Sequence, residues 1–412
     1  MADRPVLPAS SPQPYLPLQG LVVLDVSTFI AAPAAAVVLG DFGADVIKVE
    51  ALDGDPNRQS IDIASYPDSA VNYPWALDSR DKRSLAIDLK HAQGRAAFDR
   101  LLAKADIMVI NFPPPVRRRL KLAWPDVKTV NPRLIYASLT GYGESGPDVD
   151  RPGFDATAYF ARTGILDAAR YEGQPPAFSL PAQGDRATAM SMVSGILLGL
   201  LHRQRTGTGA EITTSLLANG VWAAGITAQA ALVGAFHAPR PPRDRPRSAL
   251  ANPYKAGDGR WFSLVLVRED AMWPDLCRAL ERPELLEDAR FGTQAERRKN
   301  AAALVAILDG IFAAKPWPQW RAILTAHGLV FGEIQTMHDL PNDQQMAATG
   351  VVVASADAQL GRTIASPIWT DFAAKRTPGL APSLGQHSDE ILRFAGLNEQ
   401  EIAALRVGGA IR

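Results

Sequence analysis

The feature that most constrains this chain is the way short apolar, β-type runs alternate with helical segments through its first 140 residues. Leu21-Val-Val-Leu-Asp-Val26, Val46-Ile-Lys-Val-Glu50, Ser84-Leu-Ala-Ile-Asp-Leu89, Ile107-Met-Val-Ile110 and Leu134-Ile-Tyr-Ala-Ser-Leu139 read as strands. Helical patterns at Ala34–Leu39 and Gln93–Ala105 lie between them, and such alternation predicts a parallel sheet with helices on both faces. Ligands in such sheets bind beyond the carboxyl ends of the strands, which gathers the loops after Val26, Glu50, Ile110 and Leu139. Further on, the pattern predicts a long helix over Asp185–Arg205, a strand over Glu211–Leu216, and an uncharged stretch from Leu216 to Phe236. That stretch is long enough to span a bilayer but is diluted by Asn219, Gln229 and three glycines. It is read as a helix buried in a core or an interface. Arg240–Arg247 is a Pro/Arg-rich linker, followed by a hairpin over Pro253–Val267 turning on Gly257-Asp-Gly259. Helices are expected at Asp270–Glu281, Gln294–Ala314 and Gln319–His327, and β-type patterning returns over Val351–Ile368.

Length and charge narrow the function. At 412 residues the chain exceeds a single ordinary core, so two domains are expected. Lys plus Arg (43) equals Asp plus Glu (43), so no global field marks a nucleic-acid binder, and an anionic ligand must be held by local clusters. The one cysteine, Cys277, excludes an internal disulfide and fits a reducing compartment. Residues 1–17 are proline-rich, lack the basic and apolar blocks of a signal peptide, and read as a flexible arm. A cytoplasmic protein is expected.

The motifs first exclude. There is no G-x-G-x-x-G, P-loop, G-x-S-x-G or Cys/His metal cluster, and the six histidines lack ligand spacing. Glu50 ends the second strand, where a ribose-binding acid would sit, but without the glycines a solvated strand-end charge is the favoured reading. The most distinctive segment is Thr140-Gly-Tyr-Gly-Glu-Ser-Gly-Pro147 followed by Arg151-Pro-Gly-Phe-Asp155. Its glycines free the backbone to approach a ligand and leave amides as anion donors. Asp155 precedes a helical pattern, Ala156–Arg162, so helix capping and chemistry both fit it. Asp185 opens the long helix and reads as an N-cap. Lys82-Arg83 and Arg117-Arg-Arg119 lie next to strand ends, as solvated faces or phosphate partners.

These residues resemble the family III CoA-transferases, the superfamily of formyl-CoA transferase, L-carnitine CoA-transferase and α-methylacyl-CoA racemase. The similarity runs from Leu18 to Leu397 through Leu18-Gln-Gly-Leu-Val-Val-Leu-Asp25, Gly43-Ala-Asp-Val-Ile-Lys-Val-Glu50, Asp81–Lys90, Asn131-Pro-Arg-Leu-Ile-Tyr136, Gly141–Pro147, Gly153-Phe-Asp155, Arg205–Gly209 and Leu384-Gly-Gln-His387. The resemblance implies a covalent nucleophile at Asp155 and CoA contacts at Lys82, Asn111, Phe112, Arg119, Thr140 and Tyr142. Amides of Gly141 and Gly143 would serve the oxyanion. No metal and no cofactor beyond the CoA substrate is implied. The implied fold is α/β, with a Rossmann-like large domain from both ends of the chain (18–225 and 336–412), a smaller α+β domain (226–335) and an interlocked homodimer. Racemases of the superfamily carry His before this aspartate. Phe154 stands there and can neither give nor take a proton, which favours transfer over α-proton exchange. Ile30 replaces an active-site glutamine of the formyl-CoA enzyme, Ala51 an arginine, and Pro113-Pro-Pro115 the usual Arg-Pro-Gly, so a more apolar pocket than one for oxalate or formate is expected.

Overall fold

The computed structural model describes residues 15–412. The expected arm over 1–17 therefore lies, up to residue 14, outside the described residues. Six strands form one parallel sheet: β1 (Val22–Val26), β2 (Asp45–Glu50), β3 (Arg83–Ala86), β4 (Ile107–Ile110), β5 (Ile135–Thr140) and β6 (Ala210–Ser215). Their order is β3-β2-β1-β4-β5-β6, the doubly wound arrangement, which reverses direction between β1 and β4. The central strands β1, β4 and β5 are buried along almost their whole length because both faces are covered. Ile107 and Val109 enter one core with the Ala31–Asp41 and Gln183–Thr206 helices. Met108 and Ile110 enter the other with the Ala92–Leu102, Ser388–Phe394 and Glu399–Val407 helices.

The outer edge of β3 is closed by the last part of the chain. His387 N–H donates to Ser84 O, Asp88 N–H to Ala410 O and Arg412 N–H to Ala86 O, and Ile87 bridges Ile411. An open strand edge is thereby blunted.

The chain divides into two compact units. The first takes in the described residues up to Leu166, then Phe178–Ala235 and Met346–Arg412; the second takes in Asp167–Ala177 and Phe236–Gln345. The boundaries expected at 225/226 and 335/336 thus fall ten residues later, and Asp167–Ala177 joins the smaller unit. There Tyr171 bridges Arg240, whose guanidinium lies 4.9 Å from the Tyr171 ring centroid. The smaller unit holds an antiparallel sheet of β7 (Ala251–Lys255), β8 (Trp261–Val265) and β9 (Phe331–Glu333), packed with helices around Phe262, Phe312 and Trp320. The Pro/Arg linker belongs to this packing: Arg243 is clamped by Asp309 between the Tyr254 and Trp261 rings.

Three helical expectations change. Gln294–Ala314 becomes two helices, Gln294–Lys299 and Ala301–Phe312, because the Asn300 side chain turns back to Glu296 O and Arg290 O. The uncharged stretch is also two helices, Leu216–Ala223 and Gly225–Leu232, and is not buried in the chain's own core: Trp222 is 86% and Ile226 91% exposed. The long helix begins at Gln183, so Asp185 lies inside its first turn and does not cap it. Among the described residues, no single helix is long and apolar enough to cross a membrane.

Candidate active site

The reversal between β1 and β4 brings the Ser27–Ile30 loop beside Asn111. The Asn111 side chain accepts from Thr28 N–H (2.8 Å) and donates to Thr28 O (2.7 Å), so its amide ties the two crossings together. Phe112 packs against the second core. The basic cluster that follows splits three ways. Arg117 is buried on Glu144 and the Tyr136 hydroxyl, Arg118 pairs with Asp150, and Arg119 is exposed without an ion pair among the described residues. Burial pushes the Tyr136 hydroxyl up to about 12, which keeps it a neutral partner. Since Glu144 also accepts from Ser138, Arg117 anchors the glycine-rich loop to β5. Arg119 instead lines a cavity of about 410 Å³ with Lys90, Arg95 and Lys121 and no acidic side chain. Those three cations were not singled out from the sequence.

Lys82 is placed differently from expectation. Its side chain is fully buried; the ammonium donates to Asp25 at 2.7 Å and to Pro33 O at 2.9 Å. It is spent inside the fold rather than turned to a phosphate. Lys48 completes the group, 2.6 Å from Asp55 and 3.7 Å from Asp25. Burial by itself pushes the Asp25 carboxyl up, but Lys48 and Lys82 together hold it below its usual range. Glu50 is also no solvated charge: it is buried and takes Arg58, Ser84 and Asp55 N–H.

The glycine-rich loop meets the aspartate through close backbone contact. A Cβ on Gly141 would lie 2.9 Å from Gly153 Cα, so only glycines allow this approach. Thr140 is buried and its hydroxyl accepts Gly143 N–H at 2.9 Å, which removes that amide from the expected oxyanion set. Gly141 O accepts Leu217 N–H. The Tyr142 ring carries the Arg151 guanidinium at 5.4 Å.

Asp155 opens a wide turn, Asp155–Ala161, in which Arg162 N–H reaches back five residues to Thr157 O. Such π-type turns occur frequently at functional sites. The Asp155 residue is 9% exposed; its Oδ1 accepts Ala156 N–H at 2.6 Å, and its Oδ2 is buried without a hydrogen-bond partner. Burial pushes its carboxyl above the usual range, against the amides of Ala156, Gly184 and Ala182. Of the groups around it, the sequence reading named only Asp185, and as a helix cap. Asp185, Asp78 and the Tyr66 phenol all act electrostatically on this place, and Arg186 clamps Asp78 at 2.5 and 3.1 Å. The clue in Gln183-Gly-Asp-Arg186 was an acid beside a base at a helix start, and capping was its favoured reading.

Burial, and then the charge of Asp155, push the Asp185 carboxyl up to about 7. The folded chain therefore holds a proton that the unfolded chain, titrating near 3.8, has released. Stability falls as pH rises through that window, and above it the loss is complete. Asp185→Asn is expected to be neutral below pH 4 and stabilising at pH 8, by on the order of 2–4 kcal/mol. Thermal melts of both proteins across pH check it; a Tm difference that does not change with pH refutes it.

Comparison with known proteins decides the family. Residues 18–388 match the family model for CoA-transferase family III. The chain belongs to CoA-transferase family III. The enzyme is 32% identical over 400 residues to (R)-2-hydroxy-4-methylpentanoate CoA-transferase of Clostridioides difficile, covering 96% of this chain and 99% of that one. It is 31% identical to the beta subunit of succinyl-CoA–L-malate CoA-transferase of Chloroflexus aurantiacus, covering 95% and 97% of the two chains. Among solved structures it resembles a CAIB/BAIF family protein from Brucella suis, with a TM-score of 0.82 and 29% identity, over 93% of this chain and 100% of that one. The chain is thus a CoA-transferase of α/β fold.

Proposed function

We propose that the enzyme moves CoA from an acyl-CoA to a carboxylic acid through an aspartyl-CoA thioester on Asp155. The observation that carries this reading is the Asp155 carboxyl itself: buried, held through Oδ1, with Oδ2 unpartnered. A carboxylate is a weak nucleophile in water, but one stripped of solvent and aligned on a thioester can attack it. Asp155 Oδ2 attacks the thioester carbonyl, the C–S bond breaks, and a mixed anhydride and CoA thiolate form. The thiolate then attacks the Asp155 carbonyl carbon, which expels the donor carboxylate and leaves the aspartyl thioester. The acceptor carboxylate reverses both steps. Thioester energy is kept throughout, so neither ATP nor metal nor any cofactor besides CoA is required.

In this reading Lys90, Arg119 and Lys121 hold CoA phosphates, since none of the three has an ion pair among the described residues, whereas Arg95 beside them is paired with Asp99. Phe112, Asn111, Thr140 and Tyr142 are assigned to the rest of the CoA chain. The enzyme acts as a cytoplasmic homodimer, with the second copy covering the exposed apolar side chains of the Leu216–Ala223 and Gly225–Leu232 helices. Borohydride added during turnover reduces an aspartyl thioester to the alcohol. Peptide mass analysis is expected to find that reduction confined to Asp155; its absence with every acyl-CoA donor tried sinks the covalent reading.

A further inference from the structure

The residue next to Asp155 in the chain, Phe154, meets a second aromatic ring, that of Phe29. Phe29, in the loop after β1, has φ 61°, a left-handed conformation costly for a bulky side chain and found chiefly where surrounding structure enforces it. Here Phe29 N–H donates to Asp55 Oδ1 at 3.1 Å, and Asp55 is fixed in turn by Lys48 and Asn57 N–H. The strain aims the Phe29 ring edge-on at Phe154, with centroids 5.6 Å apart and planes at 90°. Phe154 directly precedes Asp155 and is 58% exposed, and the neighbouring Ile30 is buried.

The charges near Asp155 point the same way. The Asp185 carboxyl lies near Asp155, and the guanidinium next to it, Arg186, is already bidentate on Asp78. A second carboxylate on the substrate would lose water here while Arg186 is already taken up by Asp78, at a high desolvation cost.

We propose that Phe29 and Phe154 form the wall that receives the acyl tail, and that they make the enzyme a transferase of monocarboxylic acids with apolar tails rather than of dicarboxylic acids. The inference rests on Asp155 as the nucleophile, because the tail lies beside whatever carbonyl Asp155 attacks. An apolar pocket separates substrates by roughly 10–200-fold for each methylene-sized contact.

The test compares kcat/KM for 4-methylpentanoyl-CoA, acetyl-CoA and succinyl-CoA, with borohydride trapping at Asp155 run alongside. The variants are Phe154→Ala and Phe29→Gly; the glycine suits the left-handed backbone and so preserves the loop. The native enzyme is expected to prefer 4-methylpentanoyl-CoA over succinyl-CoA by roughly 100-fold, and each variant to lose on the order of tenfold on the branched donor alone. Acetyl-CoA, which has no apolar tail for the wall to receive, is the reference donor against which each loss is read. Labelling of Asp155 with equal rates for the three donors, or a preference that both variants leave intact, overturns this assignment alone. No label at Asp155 with any donor overturns the covalent reading, and this one with it.

Discussion

Asp155→Asn is expected to abolish CoA transfer, with turnover down by roughly 10⁴–10⁶-fold, as when other covalent nucleophiles are removed. The side-chain amide has the size and the acceptor oxygen of the carboxylate, so it can still take Ala156 N–H and leave the Asp155–Ala161 turn in place. What disappears is the unpartnered anionic Oδ2. The substitution also removes the negative charge that helps hold a proton on Asp185, so stability should not fall. CoA lies along the basic cavity and the Asn111 loop in this reading, so its affinity should be unchanged. Steady-state turnover and a CoA titration read the two effects separately; near-normal turnover in this variant removes Asp155 as the nucleophile.

Asp25→Ala is expected to cost about 3–5 kcal/mol of stability, the range found when one partner of a buried ion pair is removed. Asp25 is wholly buried in β1 and carries Lys82 directly and Lys48 at longer range. Without it Lys48 keeps Asp55, but the Lys82 ammonium retains only Pro33 O in a site closed to water. Asp25→Leu combined with Lys82→Met should recover much of the loss, because an apolar pair of similar volume carries no desolvation cost. Denaturant unfolding of the single and double variants measures both. A single-variant loss below about 1 kcal/mol, the scale of an exposed pair, refutes the buried network.

The sheet was legible because its strands are covered on both faces and so appear as unbroken apolar runs; Ile107–Ile110 is found where it was expected. Lys82 shows where legibility stops. A lysine beside an arginine at a strand end looks like a solvated face, and the partner that buries it, Asp25, is 57 residues earlier. One clue was present: Asp25 and Lys48 sit inside runs too apolar to leave a charge unpaired. Composition could say that they need partners but not which. The surroundings of Asp155 were hidden for the same reason, since Asp78 and Arg186 are 108 residues apart. Asp155 itself stood out from an ordinary helix-capping acid only through the family resemblance, and Asp185 gave no sign of its unusual proton affinity because burial is a property of the fold.

The closure of β3 by residues some three hundred positions later has a consequence for biosynthesis. At about 5–20 residues per second, the segment that covers this edge leaves the ribosome roughly 15–60 s after the strand itself. Through that interval the nascent sheet carries an exposed strand edge, and the Arg58 guanidinium and Trp75 indole wait for the Pro382 carbonyl they will share. These strands thus depend on a segment made some three hundred residues later, so a polypeptide stalled or released between the two presents a sticky, unfinished sheet edge.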